Sequence, residues 1–280
     1  MSLTFVPTPL GNLRDITLRA LDVLRECDLL VAEDTRVARK LLSALQLPGK
    51  ELWSYREQNA AGATGPILER AQSERVAVIT DAGMPGISDP GRDLIVAARV
   101  AGIVIQVLPG PVAFACAVVL SGFPTERFSF EGFVPRAPAE RERAFRAAFE
   151  RGVTAAWYDS PKRLVGTLET LANVAPNCRV FVARELTKRF EQHIAGTPAQ
   201  AAAALELPVR GELVLVLDAV KSEKPASSGE LQEAIDAALD GSETLSAIAK
   251  RLAAAKLADR ATVYRLATAR KKARLGDEAH

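Results

Sequence analysis

The residues best suited to chemistry in this chain are acids that follow apolar runs and loops that are rich in glycine and proline. The longest such loop, Asp81–Gly91, directly follows the strand-like run Val76–Thr80 and contains three Gly and two Pro. Glycine leaves room for a ligand to approach the backbone closely, and proline fixes the shape of the loop before anything binds. The pattern predicts a preformed small-molecule pocket at the carboxyl ends of strands.

Other features narrow the chemistry. Shorter segments of the same kind occur at Thr8–Asn12, Glu33–Arg36, Pro109–Pro111, Tyr158–Pro161 and Ala183–Thr187. There is no G-x-G-x-x-G, Walker A, H-E-x-x-H or G-x-S-x-G sequence, and the chain has only two His. Covalent Ser or Cys catalysis and a His-based metal site are therefore disfavoured. A group-transfer enzyme whose cofactor carries the activated group fits what remains.

Composition sets wider limits. The 280 residues are 48% hydrophobic with a net charge of +2, which predicts a real apolar core and no overall attraction to nucleic acid. No apolar run approaches the roughly 20 residues that span a bilayer, and the first residues do not resemble a secretion signal. The three isolated Cys favour a reducing cytoplasm. Two basic clusters could contact phosphate or simply be solvated faces, namely Arg136, Arg141, Arg143 and Arg146, and Arg270–Arg274.

The elements that must position these residues fall into successive parts. Residues 1–121 alternate strand and helix patterns, which predicts a parallel sheet with helical crossovers. Residues 122–220 indicate a second α/β domain with more hairpin character. Residues 221–229 have the composition of a linker, and 230–280 contain three helical patterns that suggest a small helix-turn-helix-like domain.

Taken together, several motifs resemble a known family. Val6–Thr17, Ala32–Arg36, Asp81–Gly91, Gly132–Arg136 and Ala183–Lys188 are similar to motifs of the tetrapyrrole-methylase-type (class III) S-adenosylmethionine methyltransferases. Within that superfamily they most resemble the branch that methylates a cytidine 2′-hydroxyl of 16S ribosomal RNA. The resemblance extends in order over residues 4–220, and the C-terminal helices resemble an extra domain of that branch.

The resemblance implies a fold, a cofactor and partners. The fold is α/β, with two α/β domains of the tetrapyrrole methylase type, an interdomain cleft that holds S-adenosylmethionine, and a small C-terminal helical domain. The implied partners are 16S rRNA or the 30S subunit and a second copy of the chain, with no membrane and no metal. Two alternatives stay open: methylation of a small tetrapyrrole by the same fold, and a non-catalytic RNA-binding protein.

The resemblance also implies site residues. The expected cofactor-binding residues are Asp81, Gly83, Met84, Pro85, Ile87, Pro111, Val112, Ala113, Leu186 and Thr187. Val112 stands where the family more often has Ser, so only a backbone contact is expected there. The expected substrate-binding residues are Pro9, Gly11, Asn12, Arg14, Arg36, Arg136 and Lys162. Lys162 stands where the family usually has His, which leaves a cation for phosphate.

A ribose hydroxyl is a poor nucleophile near neutral pH, so its methylation needs a general base or a stabilising cation. The candidates are Asp34, Glu33, Glu185 and Lys188. For Glu33–Arg36 an equally good interpretation is a helix cap with a salt bridge.

Overall fold

The computed structural model describes residues 2–219, 228–240, 243–254, 258 and 260–277. The chain divides into two compact units, residues 1–220 and 221–280. The first unit contains two five-stranded sheets, and the described part of the second contains three helices.

The first sheet is entirely parallel and has the strand order β3-β2-β4-β1-β5. Its strands are β1 (Ser2–Phe5), β2 (Leu29–Ala32), β3 (Glu51–Ser54), β4 (Arg75–Ile79) and β5 (Ile105–Val107). Because parallel strands point the same way, all five carboxyl ends meet at one edge of the sheet. The predicted parallel sheet is therefore confirmed, and its loops share that edge.

Helices connect these strands, as the alternating pattern predicts. They are α1 (Leu18–Glu26), α2 (Thr35–Ala44), α3 (Ala60–Ser73) and α4 (Arg92–Val100), preceded by a short 3₁₀ turn at Leu13–Asp15. Thr17 caps α1, because its side chain accepts a hydrogen bond from the Ala20 amide. Gly102, with a φ of +70°, follows the end of α4.

Both faces of the parallel sheet are buried. On one face Leu24 of α1 and Leu42 of α2 pack with Leu30 of β2. On the other face Ile67 of α3 and Leu94 of α4 pack with strand residues of β1, β2 and β4. Burial on both sides explains why β2 and β4 are nearly continuous apolar runs rather than alternating ones.

The second sheet is mixed, with the order β6-β7-β10-β8-β9, and only the β6–β7 pair is parallel. Its strands are β6 (Phe128–Phe133), β7 (Thr154–Asp159), β8 (Arg179–Arg184), β9 (Gln192–Gly196) and β10 (Leu213–Asp218). Its connecting helices are α6 (Pro138–Arg151), α7 (Leu164–Val174) and α8 (Pro198–Ala203). The antiparallel pairs account for the predicted hairpin character, and the expected pair of α/β sheets is confirmed.

One helix belongs in sequence to the expected first domain, residues 1–121, but packs against the second sheet. Helix α5 (Ala113–Ser121) follows β5, yet its buried residues Ala117 and Val118 pack against Phe181 and Val214 of the second sheet. This helix is apolar on most sides, so its sequence does not reveal which sheet it covers. It links the two sheets within the first unit.

The second unit has a core of its own. Helices α9 (Ser228–Leu239), α10 (Leu245–Ala254) and α11 (Arg260–Asp277) share a cluster that includes Ile235, Ile248 and Val263. Of the expected linker, residues 221–227 lie outside the described residues, and Ser228 is the first residue of α9. Among the described residues, none of the helices has the length and apolar character that crossing a bilayer requires.

Candidate functional site

The loops that the sequence singles out gather at the carboxyl-terminal edge of the parallel sheet. The loop after β1 and the loop after β4 are tied together by two backbone hydrogen bonds between Thr8 and Gly83, with N–O distances of 2.9 and 3.0 Å. The Thr8 hydroxyl also donates to the Thr80 carbonyl at 3.2 Å. These bonds fix the loop after β1, Thr8–Asn12, which we call the opening loop, against the glycine- and proline-rich loop Asp81–Gly91.

Gly83 is a position in this loop where any other residue would be strained. It is buried and has a φ of +79°, and a Cβ atom there would lie 3.3 Å from Leu10 Cδ2 and 3.7 Å from the Pro111 carbonyl oxygen. A left-handed backbone costs a non-glycine residue roughly 1–2 kcal/mol, and a longer side chain would also fill the space between the loops. Glycine at this position therefore leaves the space beside Leu10 and Pro111 open.

A cavity of about 240 Å³ opens beside Gly83, and we call it the apolar cavity. Loops of the parallel sheet line it on one side, and residues of β7, β8 and β10 line it on the other. The predicted cofactor residues that line it are Gly83, Met84, Ile87, Val112, Ala113 and Leu186. Pro85, Pro111, Thr187 and Asp81 are not among its lining residues.

An aromatic wall closes part of the apolar cavity. Tyr158 and Phe133 both line it, with their ring centroids 5.6 Å apart in an edge arrangement. Phe130 supports Tyr158 at 4.9 Å. Burial raises the pKa of Tyr158 to about 12, so this phenol stays neutral at physiological pH.

A second cavity, of about 690 Å³, is lined mostly by charged and polar groups, and we call it the polar cavity. Its lining includes Glu33, Asp34, Arg56, Asn59, Asp81 and Asp89. Asp89 lines both cavities, so the two meet at this side chain. Asp81 was expected at the cofactor, but the structure places it on the polar cavity.

Asp34 is held by cations. Its carboxylate caps α2 by accepting from the Arg36 amide at 2.8 Å, and it pairs with the Arg36 guanidinium at 2.6 Å and with Arg56 at 3.3 Å. Hydrogen bonds from Arg36 hold the pKa of Asp34 well below its usual range. A carboxylate this weakly basic is a poor proton acceptor. The structure favours the cap-and-salt-bridge interpretation for this residue, and Arg36 faces Asp34 rather than a free phosphate site.

The other acids of the polar cavity show the opposite effect. Burial, together with the nearby Asp81, raises the pKa of Glu33. Burial also raises the pKa of Asp81, whose carboxylate accepts from the Asp34 amide at 3.2 Å. The pKa of Asp89 is raised to about 7 by burial and by the nearby negative charge of Glu33. Asp89 can therefore exchange a proton near neutral pH.

Glu185 and Lys188 form a separate network. Lys188 Nζ donates to Glu185 and to Glu212 at 2.9 Å each, and Glu185 also accepts from the Glu212 amide at 2.9 Å. Burial acts against each charge, but the hydrogen bonds outweigh it, so the pKa of Glu185 is lowered and that of Lys188 is raised. Neither residue lines the two cavities. The four predicted catalytic residues therefore do not come together.

The opening loop contacts this network. The Asn12 amide donates to the Thr187 hydroxyl at 3.1 Å, and Thr187 has a φ of +65°. A Cβ on Gly11 would lie 2.2 Å from Lys188 Cγ, so the loop and the lysine chain pack tightly. Thr187 was expected at the cofactor; in the structure it joins the loop of the parallel sheet to the second sheet.

The remaining predicted substrate residues are spread over the surface. Arg14, Arg136 and Lys162 are exposed, whereas Pro9 is buried beneath the opening loop. Asn12 is partly occupied locally, because its side chain accepts from the Arg14 amide and caps the 3₁₀ turn. None of these residues lines either cavity.

The basic cluster that follows Pro135 is smaller than its sequence suggests. Arg141 is only 8% exposed and donates to Thr170 at 2.9 Å, so it supports the packing of α6 on α7. Arg146 pairs with Glu142 at 2.7 Å. In the C-terminal unit, Arg270 pairs with Asp236 at 2.7 Å. The interpretation as solvated or structural charges applies to these three arginines.

Sequence reasoning missed Asp89 and Glu212, which both line the apolar cavity. Asp89 belongs to a Ser-Asp-Pro-Gly stretch, where an acid is ordinarily a turn residue. The only available signal was its place in the long loop after β4. Asp159 also lines the apolar cavity, but it is used internally, because it accepts from Thr167 at 2.7 Å and pairs with Arg163 at 2.6 Å.

In the described part of the chain, no three His, Cys, Asp or Glu side chains are grouped so that they could hold a metal ion. The acids of the polar cavity are partly neutralised by Arg36 and Arg56 instead. The site combines an apolar cavity with a titratable carboxyl, that of Asp89, at its border.

Comparison with known proteins gives a consistent picture. The family described as Tetrapyrrole (Corrin/Porphyrin) Methylases matches residues 2–202. A protein of Thermotoga maritima called "Ribosomal RNA small subunit methyltransferase I" is 40% identical over 218 residues, which cover 77% of this chain and 97% of that protein. A protein of the same name from Synechocystis is 36% identical over 269 residues, which cover 94% and 96%.

A solved structure supports the fold. The crystal structure of diphthine synthase superposes with a TM-score of 0.64 at 16% identity, covering 78% of this chain and 90% of that one. At this identity the likeness shows the shared architecture and nothing about the substrate.

Proposed function

Because this chain belongs to the tetrapyrrole methylase family, within its ribosomal RNA small subunit methyltransferase I group, we propose that it methylates small-subunit rRNA. In this proposal the methyl donor is S-adenosylmethionine and the acceptor is the ribose 2′-hydroxyl of a cytidine. The observation that carries the proposal is 36% identity to a protein of that name along 94% of the chain. The resemblance noted in the sequence motifs agrees with it.

The residues present fit a methyl donor of this kind. Gly83 keeps the loop backbone open, and Met84, Val112 and Leu186 give the apolar cavity walls that suit an adenosine group. The carboxylates of Asp89 and Glu212 line the same cavity and offer negative charge to a sulfonium. Asp81, which lines the polar cavity, and Thr187, which lines neither cavity, would act through the shape of the loops.

The donor, when bound, supplies an activated methyl group with a neutral leaving group. The work left to the protein is alignment, exclusion of water and removal of a proton from the acceptor hydroxyl. Tyr158 and Phe133 shield the apolar cavity from solvent on one side. The hydrogen bonds between Thr8 and Gly83 hold the loops after β1 and β4 together, which favours a single orientation of the reacting groups.

The phosphates of the RNA would be held outside the cavities. Exposed cations at Arg14, Arg136 and Lys162 can contact phosphates, and exposed Lys271 and Lys272 do so on the C-terminal helices. Folded rRNA is recognised largely through its backbone and shape, and one unstacked nucleotide is presented to the enzyme. With such a substrate the protein acts in the cytoplasm.

A second copy of the chain is also part of the proposal. On α5 the side chains of Val119 and Leu120 are 74% and 44% exposed, and Phe128 of β6, whose ring centroid lies 6.4 Å from that of Phe114 on α5, is 46% exposed. Large apolar side chains grouped in this way suit a homodimer contact. A molar mass of one chain, measured by light scattering at micromolar concentration, would contradict the proposed homodimer.

The test is a transfer assay. Purified protein is incubated with methyl-labelled S-adenosylmethionine and small ribosomal subunits, naked 16S rRNA or a porphyrinoid. The expected result is label in rRNA, at one cytidine that becomes resistant to alkaline cleavage at its 3′ side. Label on a base, or label only in the porphyrinoid, would reject the proposed acceptor.

A further inference from the structure

Asp89 occupies the border between the two cavities. It lines the apolar cavity with Gly83 and Met84 and lines the polar cavity with Glu33 and Asp81. If the apolar cavity holds the methyl donor, an acceptor in the polar cavity must meet the methyl group near this side chain. The geometry therefore places Asp89 at the point where the two substrates would come together.

Charged and titratable groups surround Asp89 from several elements. Glu33 follows β2, Asp81 follows β4, Glu212 precedes β10, and Tyr158 belongs to β7; each interacts electrostatically with Asp89. Arg56, after β3, lines the same polar cavity and pairs with Asp34. The Thr80 hydroxyl lies next to the Asp89 carboxyl and favours its charged form, against the effect of burial.

The other acids near the site are less suited to accept a proton. Asp34 is paired with two arginines, and Asp159 is fully used by Thr167 and Arg163. Glu185 is paired with Lys188 outside both cavities. Glu33 lines the polar cavity but is not among the residues that line the apolar one.

We propose that the polar cavity receives the acceptor nucleoside and that Asp89 is the general base for its hydroxyl. The O–H bond breaks and its proton passes to the Asp89 carboxylate. The oxygen lone pair forms the new O–CH₃ bond while the C–S bond breaks, and its electrons stay on sulfur, which becomes a neutral thioether. This inference rests on the proposed function, because it takes its donor and acceptor from it.

The electrostatics agree with this role. A pKa of about 7 leaves Asp89 roughly half ionised at neutral pH, where a general base is most effective. The mixed lining of the polar cavity also suits a nucleoside, since Glu33 and Asp81 can accept from an amino group while Arg56 can donate. An exocyclic amino group distinguishes cytidine from uridine.

The experiment compares single-turnover methyl transfer to small ribosomal subunits by the wild type, Asp89→Asn and Glu33→Gln between pH 5.5 and 9. Asp89→Asn should slow transfer by about 10²–10⁴-fold, with unchanged affinity for S-adenosylhomocysteine in calorimetry. The wild-type rate should rise with pH through an inflection near 7, which the variant lacks. Glu33→Gln should move that inflection to lower pH, because the Glu33 charge raises the pKa of Asp89.

The control is Asp22→Asn, an exposed acid on α1 that pairs with Arg25, and it should match the wild type. Transfer by Asp89→Asn within threefold of the wild type would overturn the inference. So would an Asp89→Asn pH profile that keeps its inflection, or a loss confined to Glu33→Gln. In those cases wild-type rRNA methylation still stands, whereas a wild type that methylates no rRNA rejects the proposed function and this inference with it.

Discussion

The apolar and the polar cavity meet at Asp89 but are built in different ways. The first is shaped by backbone and aliphatic groups, such as Gly83 and Val112, whose positions are fixed by the two sheets. The second is lined by charged side chains whose protonation depends on burial and on neighbouring charges, as when the charge of Glu33 adds to the burial that raises the pKa of Asp89. Glycine and proline in a loop can specify the shape of a cavity for one ligand. The pKa of a carboxyl group is instead specified by its burial and by the charges that the fold brings near it.

The largest effect should come from blocking the apolar cavity. We expect Gly83→Leu to weaken S-adenosylmethionine binding at least about 100-fold, because its side chain must enter the space beside Leu10 and Pro111. Gly102→Leu is the matched control, since Gly102 also has a positive φ of +70° but has nothing within 4 Å of its Cβ direction. Calorimetry on both variants measures the difference. Equal affinities in the two would remove Gly83 from the site.

A smaller effect should follow from removing the second unit, residues 221–280. Truncation after Val220 should weaken rRNA binding about 10-fold and leave cofactor affinity within about twofold. The described cores of the first unit contain only residues up to Ala219, so we expect it to fold without the C-terminal helices. Filter binding and calorimetry on the same preparation separate the two affinities. The reverse order of losses would contradict this division of roles.

The polar cavity should be linked to stability through pH. Because the pKa of Asp89 is raised in the folded state, its ionisation destabilises the protein as pH rises from about 4 through 7. Asp89→Asn removes that penalty, so its Tm at pH 8 should exceed that of the wild type by about 3 °C. The gain should shrink at pH 5, where the wild-type carboxyl is protonated. A gain that is the same at both pH values would show that the charge is not its cause.

The smallest effect should come from the contact between the opening loop and the second sheet. Thr187→Val leaves the Asn12 amide without its acceptor, and we expect a loss of about 1 kcal/mol in the free energy of unfolding. Thr187→Ser keeps the hydroxyl and should stay closer to the wild type. Urea denaturation of both variants distinguishes the lost hydrogen bond from the lost methyl group.

Much of the fold could be predicted from the sequence. The apolar runs at β2 and β4 and the glycine- and proline-rich loop after β4 locate the parallel sheet and its pocket, because local pattern fixes both. Which of the two sheets α5 packs against could not be predicted. Its apolar residues match either sheet, and only the tertiary structure brings Val118 against the second one.

The chemistry of the acids was harder to predict. Asp34 looked like a base by residue type. The sequence also allowed a helix cap with a salt bridge at this position, and the hydrogen bonds from Arg36 that lower the basicity of Asp34 belong to that arrangement. Asp89 looked like a turn residue, and its raised pKa depends on burial and on Glu33, 56 positions earlier in the chain. Long-range charge pairs of this kind leave no periodic signal.

The most direct test of the account is a crystal structure of the protein with S-adenosylhomocysteine. We predict density in the apolar cavity, in contact with the backbone at Gly83 and Met84 and with Leu186 and Val214 on the opposite wall. The sulfur should face the border with the polar cavity at Asp89. Density in the polar cavity, with the apolar cavity filled by side chains, would contradict the assignment of both.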